Sequence, residues 1–342
     1  MRRIPGTDSE KGVTFTIADF FEAGRERLKL EVIGGAANLG REIEEPLVNR
    51  PGLALTGFFE YFAEKRLQVI GQAEMAFLNS LNGAMRQERM KALFDHKALC
   101  FIYTTGLRPT KTEVALAERS GAVLLATPLD TRIFAHHSAF ILEELGAPRT
   151  SLYGTMIEVG GLGVMIEGDP GLGKSETALG LVKRGNALIA DDLTCIRKDV
   201  PNNLLFASAS DSTAGFMEIR GIGIIHVPSV FGINSVRGEK RLQLVITFKR
   251  LKDVVGEIDR IGQTVRTKTI LGVDVPNVII PVSEGRDLVN LVETAAQQQK
   301  LILSGYDPVD VLSERLRKRA ESSGEAAVAP TQKRNRKGKT NG

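Results

Sequence analysis

Gly168, Gly173, Lys174 and Ser175 stand in the spacing G-x-x-x-x-G-K-[ST], within the run Gly168-Asp169-Pro170-Gly171-Leu172-Gly173-Lys174-Ser175. Glycines at those places let a backbone turn its N–H groups inward around phosphate oxygens, and a helix start behind them adds a favourable dipole. The lysine then reaches the outer phosphates of a nucleoside triphosphate, and the serine hydroxyl ligates Mg²⁺. Such a pattern arises by chance on the order of once in a hundred chains of this length. A glycine-rich structural turn is the plain alternative. Against it stand the flanks, Val164-Met165-Ile166 as a strand before the loop and Glu176 to Arg184 as a helix after it, with Gly185 as its C-cap. ATP and Mg²⁺ are therefore the expected ligands.

Two acidic positions follow. Ala187 to Ala190 reads as a short strand ending in Asp191 and Asp192. Carboxylates at a strand end beside a phosphate loop can hold Mg²⁺ or accept a proton from an attacking hydroxyl, where a solvated turn would do neither. In Met217 to Val227 (MEIRGIGIIHV), Glu218 and Arg220 alternate with apolar neighbours, so a strand would turn both to one side. They read either as a salt bridge at a sheet edge or as a metal ligand and a phosphate clamp.

The elements that must carry these residues alternate in type. In the first part of the chain the pattern predicts a helix capped near Thr16, a strand over Leu28 to Ile33, a helical face over Leu53 to Lys65 and a strand over Arg66 to Ile70. A helix over Ala73 to Leu81 comes next, then a buried strand at Leu99 to Tyr103, a helix over Lys111 to Ser120, a strand at Val123 to Ala126 and an amphipathic helix over Arg132 to Leu145. That alternation argues for an α/β domain, and Gly146-Ala147-Pro148 breaks it. Beyond the loop region, Leu204 to Ala207 reads as a strand, Ser208 to Gly215 as a loop and Pro308 to Arg319 as a helix. The expectation is two α/β domains, 1–148 and 149–321, with 322–342 as a disordered basic tail.

Composition excludes several classes. Of 342 residues 42% are hydrophobic, enough for real cores, yet no run reaches the length of a membrane span and the start lacks the apolar region of a signal peptide. A cytoplasmic protein without membrane contact is expected. Net charge is +4, and the tail alone supplies it, with Lys333, Arg334, Arg336, Lys337 and Lys339 against Glu325. A solvated tail accounts for this, so a nucleic-acid partner is not expected. Cys100 and Cys195 lack metal-ligand spacing and read as buried reduced thiols. His136 and His137, adjacent on a helix, point in different directions and cannot form one metal face.

From about Val13 to Asp310 the sequence resembles the bacterial HPr kinase/phosphorylase family. The resemblance rests on NRPGLALTGFFEYFAEKRLQVIG at Asn49 to Gly71, the stretch Gly168 to Asp192, MEIRGIGIIHV, VFGINSVR at Val230 to Arg237, and IPVSEGRDLVNLVETAA at Ile280 to Ala296. It implies a kinase domain of the type shared with PEP carboxykinase, acting on a serine of the phosphocarrier HPr and reversing that reaction by phosphorolysis. By position, Lys174 matches the family's phosphate-binding and catalytic lysine, Ser175 and Glu218 its Mg²⁺ ligands, and Asp192, with Asp191 beside it, its proton acceptor. Arg260 matches a catalytic arginine, and Pro281 to Arg286, with Ser283 and Gly285 inside it, matches a loop associated with phosphorolysis. A homohexamer is also implied. Two departures stand out. Tyr153-Gly154 occupies the place of the family's usual His-Gly pair, and a phenol with a reference pKa near ~10 carries protons at neutral pH less well than an imidazole near ~6.5. Ser283 and Glu284 replace a basic residue and a proline, which weakens attraction for inorganic phosphate. Kinase activity with impaired phosphorolysis is the expectation, with a catalytically altered nucleotide-binding regulator or a kinase of another substrate as alternatives.

Overall fold

The computed structural model describes residues 14–254 and 266–322. Two compact units divide the chain: one runs to Thr150 and includes Arg197–Asn203, the other comprises Ser151–Ile196 and the residues from Leu204 on.

The first unit contains α1 (Ile17–Gly24), β1 (Glu31–Gly34), β2 (Val48–Asn49), α2 (Gly52–Leu55), β3 (Leu67–Ile70), α3 (Gln72–Ser80), α4 (Gly83–Asp95), β4 (Cys100–Tyr103), α5 (Lys111–Ser120), β5 (Val123–Ala126) and α6 (Thr131–Gly146). Its sheet runs β1-β5-β4-β3-β2, with β2 to β5 parallel and β1 antiparallel to β5. Every residue of β3, β4 and β5 is buried, the mark of a parallel sheet covered on both faces. Phe20, Phe134, Ile141 and Leu142 pack with Val69, Cys100 and Val123 in one core, while Leu78, Leu93, Phe94 and Ala117 pack with Phe101, Tyr103 and Leu124 in another. Capping boxes at Thr16–Asp19 and Thr110–Glu113 start α1 and α5 by satisfying helix N–H groups that have no partner within the helix.

Two expectations here need correction, and one helix is an addition. The helix over Leu53 to Lys65 shrinks to α2, because Gly57 takes φ +100° and the chain continues in turns. The first strand is Glu31–Gly34, since residues before it turn and Lys29 sits at φ +50°. Helix α4 carries no clear apolar stripe and was not anticipated; Asn82 caps it by accepting from the Met85 N–H. His136 is exposed and His137 half-buried on α6, with ring centroids 5.7 Å apart. Cys100 is buried and Cys195 half-buried, both as free thiols.

The chain continues with β6 (Arg149–Tyr153), β7 (Thr155–Val159), β8 (Leu162–Gly168), α7 (Lys174–Lys183), β9 (Ala187–Ala190), β10 (Leu193–Asp199), β11 (Leu204–Ser208), β12 (Phe216–Ile219) and β13 (Gly223–His226), all in the second unit except the first two residues of β6 and the last three of β10. After them come α8 (Val227–Phe231), β14 (Glu239–Arg241), β15 (Leu244–Arg250), β16 (Arg266–Ile270), β17 (Val273–Val282), α9 (Leu288–Leu303) and α10 (Pro308–Ser322). Six strands form a mixed sheet, β16-β17-β15-β8-β7-β9, and four form a second, β14-β11-β10-β6. One face of the large sheet packs Val164, Ile166, Ile246 and Phe248 under Ala178, Leu181, Val292 and Ala296 of α7 and α9. Its other face packs Met156, Met165 and Val245 against Ile196, Leu205 and Ala207 of the small sheet. Each such fully buried aliphatic contributes about 1.5–3 kcal/mol, so the layers hold β8 rigidly where the glycine loop leaves it.

The expected single strand over Met217 to Val227 is instead the hairpin β12–β13, and Arg220 lies in its turn. Gly221 at φ +84° makes that turn, a conformation that period-2 alternation cannot reveal. The tail beyond Ser322 lies outside the described residues. No helix among those described is long and apolar enough to cross a membrane.

Candidate functional site

The glycine loop leaves the C-terminal end of β8, and its first residue has little choice of side chain. Gly168 sits at φ +142°, and a Cβ there would come within 2.5 Å of the Phe248 carbonyl oxygen on the neighbouring strand. The loop closes at Gly173, the N-cap of α7, so the helix begins at Lys174 and directs its first N–H groups and the positive end of its dipole toward the loop. Lys174 Nζ donates to the carbonyls of Gly168 at 2.9 Å and Asp169 at 3.2 Å. Those two bonds hold the ammonium over the mouth of the loop and leave one of its three donors available.

Asp191 knits three elements together behind the loop. Only 7% exposed, it accepts at Oδ1 from Thr155 Oγ1 of β7 (2.7 Å) and Ser175 Oγ of α7 (3.0 Å), and at Oδ2 from the Glu218 N–H of β12 (3.3 Å). Burial raises its pKa above the ordinary carboxylate value; the Thr155 and Ser175 hydrogen bonds oppose that rise, and the neighbouring Asp192 charge adds to it. Asp192 is exposed and adopts φ +62°, a left-handed conformation uncommon for a non-glycine residue. Gly154 N–H donates to its carbonyl at 2.9 Å, which sets Tyr153 beside it. The adjacent carboxylates thus differ in kind, one a buried organiser and the other turned to open space.

Glu218 is exposed on the outer face of the hairpin, directly opposite Ile224, with Phe216 on the same face. A cleft of about 620 Å³ brings together Tyr153, Gly168, Asp169, Pro170, Gly171, Gly173, Lys174, Ser175, Asp192, Glu218 and Arg220. Gly154 and Glu176 also line it; Gly154 was noted only within the Tyr153-Gly154 pair and Glu176 only as the start of the helix after the loop, and neither was given a role. Thr155 was missed as well, because the hydrogen bond that matters joins residues far apart in the chain. Leu172 instead turns into the core at 8% exposure. Pro281, Ser283, Gly285 and Arg286 do not line the cleft; Arg286 Nη1 donates back to the Pro281 carbonyl at 2.8 Å and folds that loop on itself. Arg260 lies outside the described residues.

The donor chemistry suits a hard cation that keeps part of its shell from a ligand. Among the described residues no three His, Cys, Asp or Glu side chains gather as a self-sufficient metal site. Ser175 and Glu218 offer one hydroxyl and one carboxylate at the cleft, and Mg²⁺ is commonly held by one or two such groups plus substrate phosphates.

Fold and cleft together define a two-domain α/β protein with a glycine loop and helix start facing carboxylates across an open groove. The chain belongs to the HPr serine kinase family: the family model for the N terminus matches residues 15–142, and that for the C-terminal domain matches residues 144–316. It is 40% identical over 84% of its length to "HPr kinase/phosphorylase" of Leptospira biflexa, covering 90% of that protein. It is 36% identical to the protein of the same name from Geobacter sulfurreducens over 90% of this chain and 96% of that one. The solved Hpr(Ser) kinase/phosphatase from Coxiella burnetii matches at 32% identity and a TM-score of 0.44, covering 46% of this chain and 94% of the other.

Proposed function

We propose that this protein is an ATP- and Mg²⁺-dependent kinase that phosphorylates a serine of the phosphocarrier HPr, with the reverse phosphorolysis impaired. What carries the reading is the single cleft shared by Lys174, Ser175, Asp192 and Glu218. In it Lys174 binds outer phosphate oxygens, the N–H groups at the start of α7 take charge as it develops, and Arg220 offers a second cation. Ser175 and Glu218 would hold Mg²⁺, which when bound neutralises charge on the transferring phosphoryl group. Asp191 keeps the Ser175 hydroxyl pointed by accepting its hydrogen bond, and Asp192 takes up the proton of the incoming serine hydroxyl.

The impairment rests on Tyr153, 69% exposed in the cleft where the resemblance leads one to expect histidine, and on Ser283-Glu284 in place of a more basic pair. Tyr153 also supports a second reading, a nucleotide-binding regulator that no longer turns over. The proposal extends to control of carbon metabolism through the sugar phosphotransferase system, a cytoplasmic homohexamer, a domain boundary near Pro148, and no nucleic-acid partner. Its test is phosphate transfer from labelled Mg²⁺-ATP to purified HPr. Transfer by the wild type that Lys174→Ala abolishes is the expected result. Tight ATP binding without transfer would leave the regulator, and transfer to another protein but not HPr would refute the substrate.

A further inference from the structure

Glu167 stands one residue before the glycine loop, with its side chain 16% exposed. It shares the sheet face of Met165 and Val245, the side away from α7 and next to the small sheet. Thr247, its direct partner in register on β15, brings its hydroxyl 2.8 Å from Glu167 Oε1 and 2.9 Å from the Asn277 side-chain amide. A hydroxyl has one proton, so Thr247 donates to one of these two oxygens at a time, Glu167 Oε1 or Asn277 Oδ1. Lys268 of β16 completes the group with an ion pair to Glu167 Oε2. None of these four residues lines the cleft.

A carboxylate at this position opposes the loop's task. It neighbours Gly168, whose carbonyl anchors Lys174, and its charge lies directly behind a backbone cradle suited to a polyanion. Partial burial lessens solvent screening, so the repulsion is felt across the strand unless a cation balances it. Lys268 supplies that cation, and the same contact ties the edge strand β16 to the end of β8.

We propose that Lys268 is a positioning residue for phosphate binding, one that neutralises the Glu167 charge behind the strand end from which the glycine loop springs. This rests on the phosphate-binding reading of the loop. The test measures Mg²⁺-ATP affinity of the full chain for the wild type, Lys268→Met, Glu167→Gln, the double variant and Lys268→Arg, at low and high salt, beside their melting temperatures without nucleotide. Lys268→Met should weaken binding by about three- to tenfold at low salt and by less at high salt. Adding Glu167→Gln should restore affinity to within about twofold, and Lys268→Arg should stay near wild type. A lost packing contact alone would not be rescued by removing a second side chain from the same network. Unchanged affinity in Lys268→Met, or a double variant as weak as the single, overturns the inference. If Lys268→Met does not fold, Glu167→Gln decides: affinity at or above wild type supports the charge argument, and weaker binding refutes it. A wild type without affinity for Mg²⁺-ATP would remove the phosphate-site reading itself, and this inference with it.

Discussion

Replacing Asp191 by Asn separates the structural work of this residue from its charge. The amide oxygen can still accept from Thr155 and Ser175, the two shorter bonds at 2.7 and 3.0 Å. The amide nitrogen then faces the Glu218 N–H, so the 3.3 Å bond is lost. One long hydrogen bond is worth on the order of 1 kcal/mol, or roughly 2–4 °C of melting temperature for a domain of this size. Against that stands the buried charge. Because burial raises the Asp191 pKa, the unfolded chain releases its proton at the ordinary carboxylate value while the folded protein still holds it. The wild type therefore loses stability from this group as pH rises above about 4, and the loss is complete once pH passes the folded pKa. Asn has no such loss. Thermal melts without nucleotide, from pH 4 to pH 8, should place the variant about 2–4 °C below wild type at the acidic end and narrow or reverse that gap toward neutrality. Parallel curves, or a gap that widens with pH, would refute the account of Asp191 as a desolvated carboxylate. Mg²⁺-ATP should stabilise the variant less than the wild type, since the Ser175 hydroxyl would then be held by a neutral group.

Gly168→Ala places a methyl within 2.5 Å of the Phe248 carbonyl at φ +142°, so it should cost about 1–3 kcal/mol and shift the loop, read as a lower melting temperature with weaker ATP binding. Cys100 is fully buried and burial pushes its thiol far above the ordinary value, so a native-state alkylation assay should leave it unmodified until denaturant is added; early labelling would contradict the packing of β4. Tyr103 is buried with no partner for its hydroxyl among the described residues, so Tyr103→Phe should leave stability unchanged or raise it by about 1 kcal/mol in denaturant titrations. Tyr153→His should raise phosphate-dependent dephosphorylation of serine-phosphorylated HPr by about a hundredfold, and no gain would remove Tyr153 as the reason for impairment.

Local patterns carried much of this molecule. The apolar run of β8, the glycine loop and the start of α7 lie within one short stretch, where strand burial, positive φ and helix capping are all short-range effects. The buried strands β3 to β5 and the amphipathic helix α6 were legible for the same reason, and the turn at Gly57 was not, because four aromatic and aliphatic residues continue a helical spacing straight through it. Motif spacing also singled out Lys174 and Ser175, and the fold brings both to one cleft.

What spacing could not reach is which of two adjacent carboxylates does which work. Asp191 and Asp192 are equivalent in sequence, and the difference arises where β7, α7 and β12 converge, residues from three distant segments donating to one buried side chain and leaving the other in the open cleft. Arg220 in the turn of a hairpin, Pro281 to Arg286 standing apart from the cleft, and Glu167 paired with Lys268 are decisions of the same kind. Sequence determines local conformation and the types of group available. Burial and long-range hydrogen bonding exist only after the sheets have packed, and these set which group is charged, which is held and which is free to react.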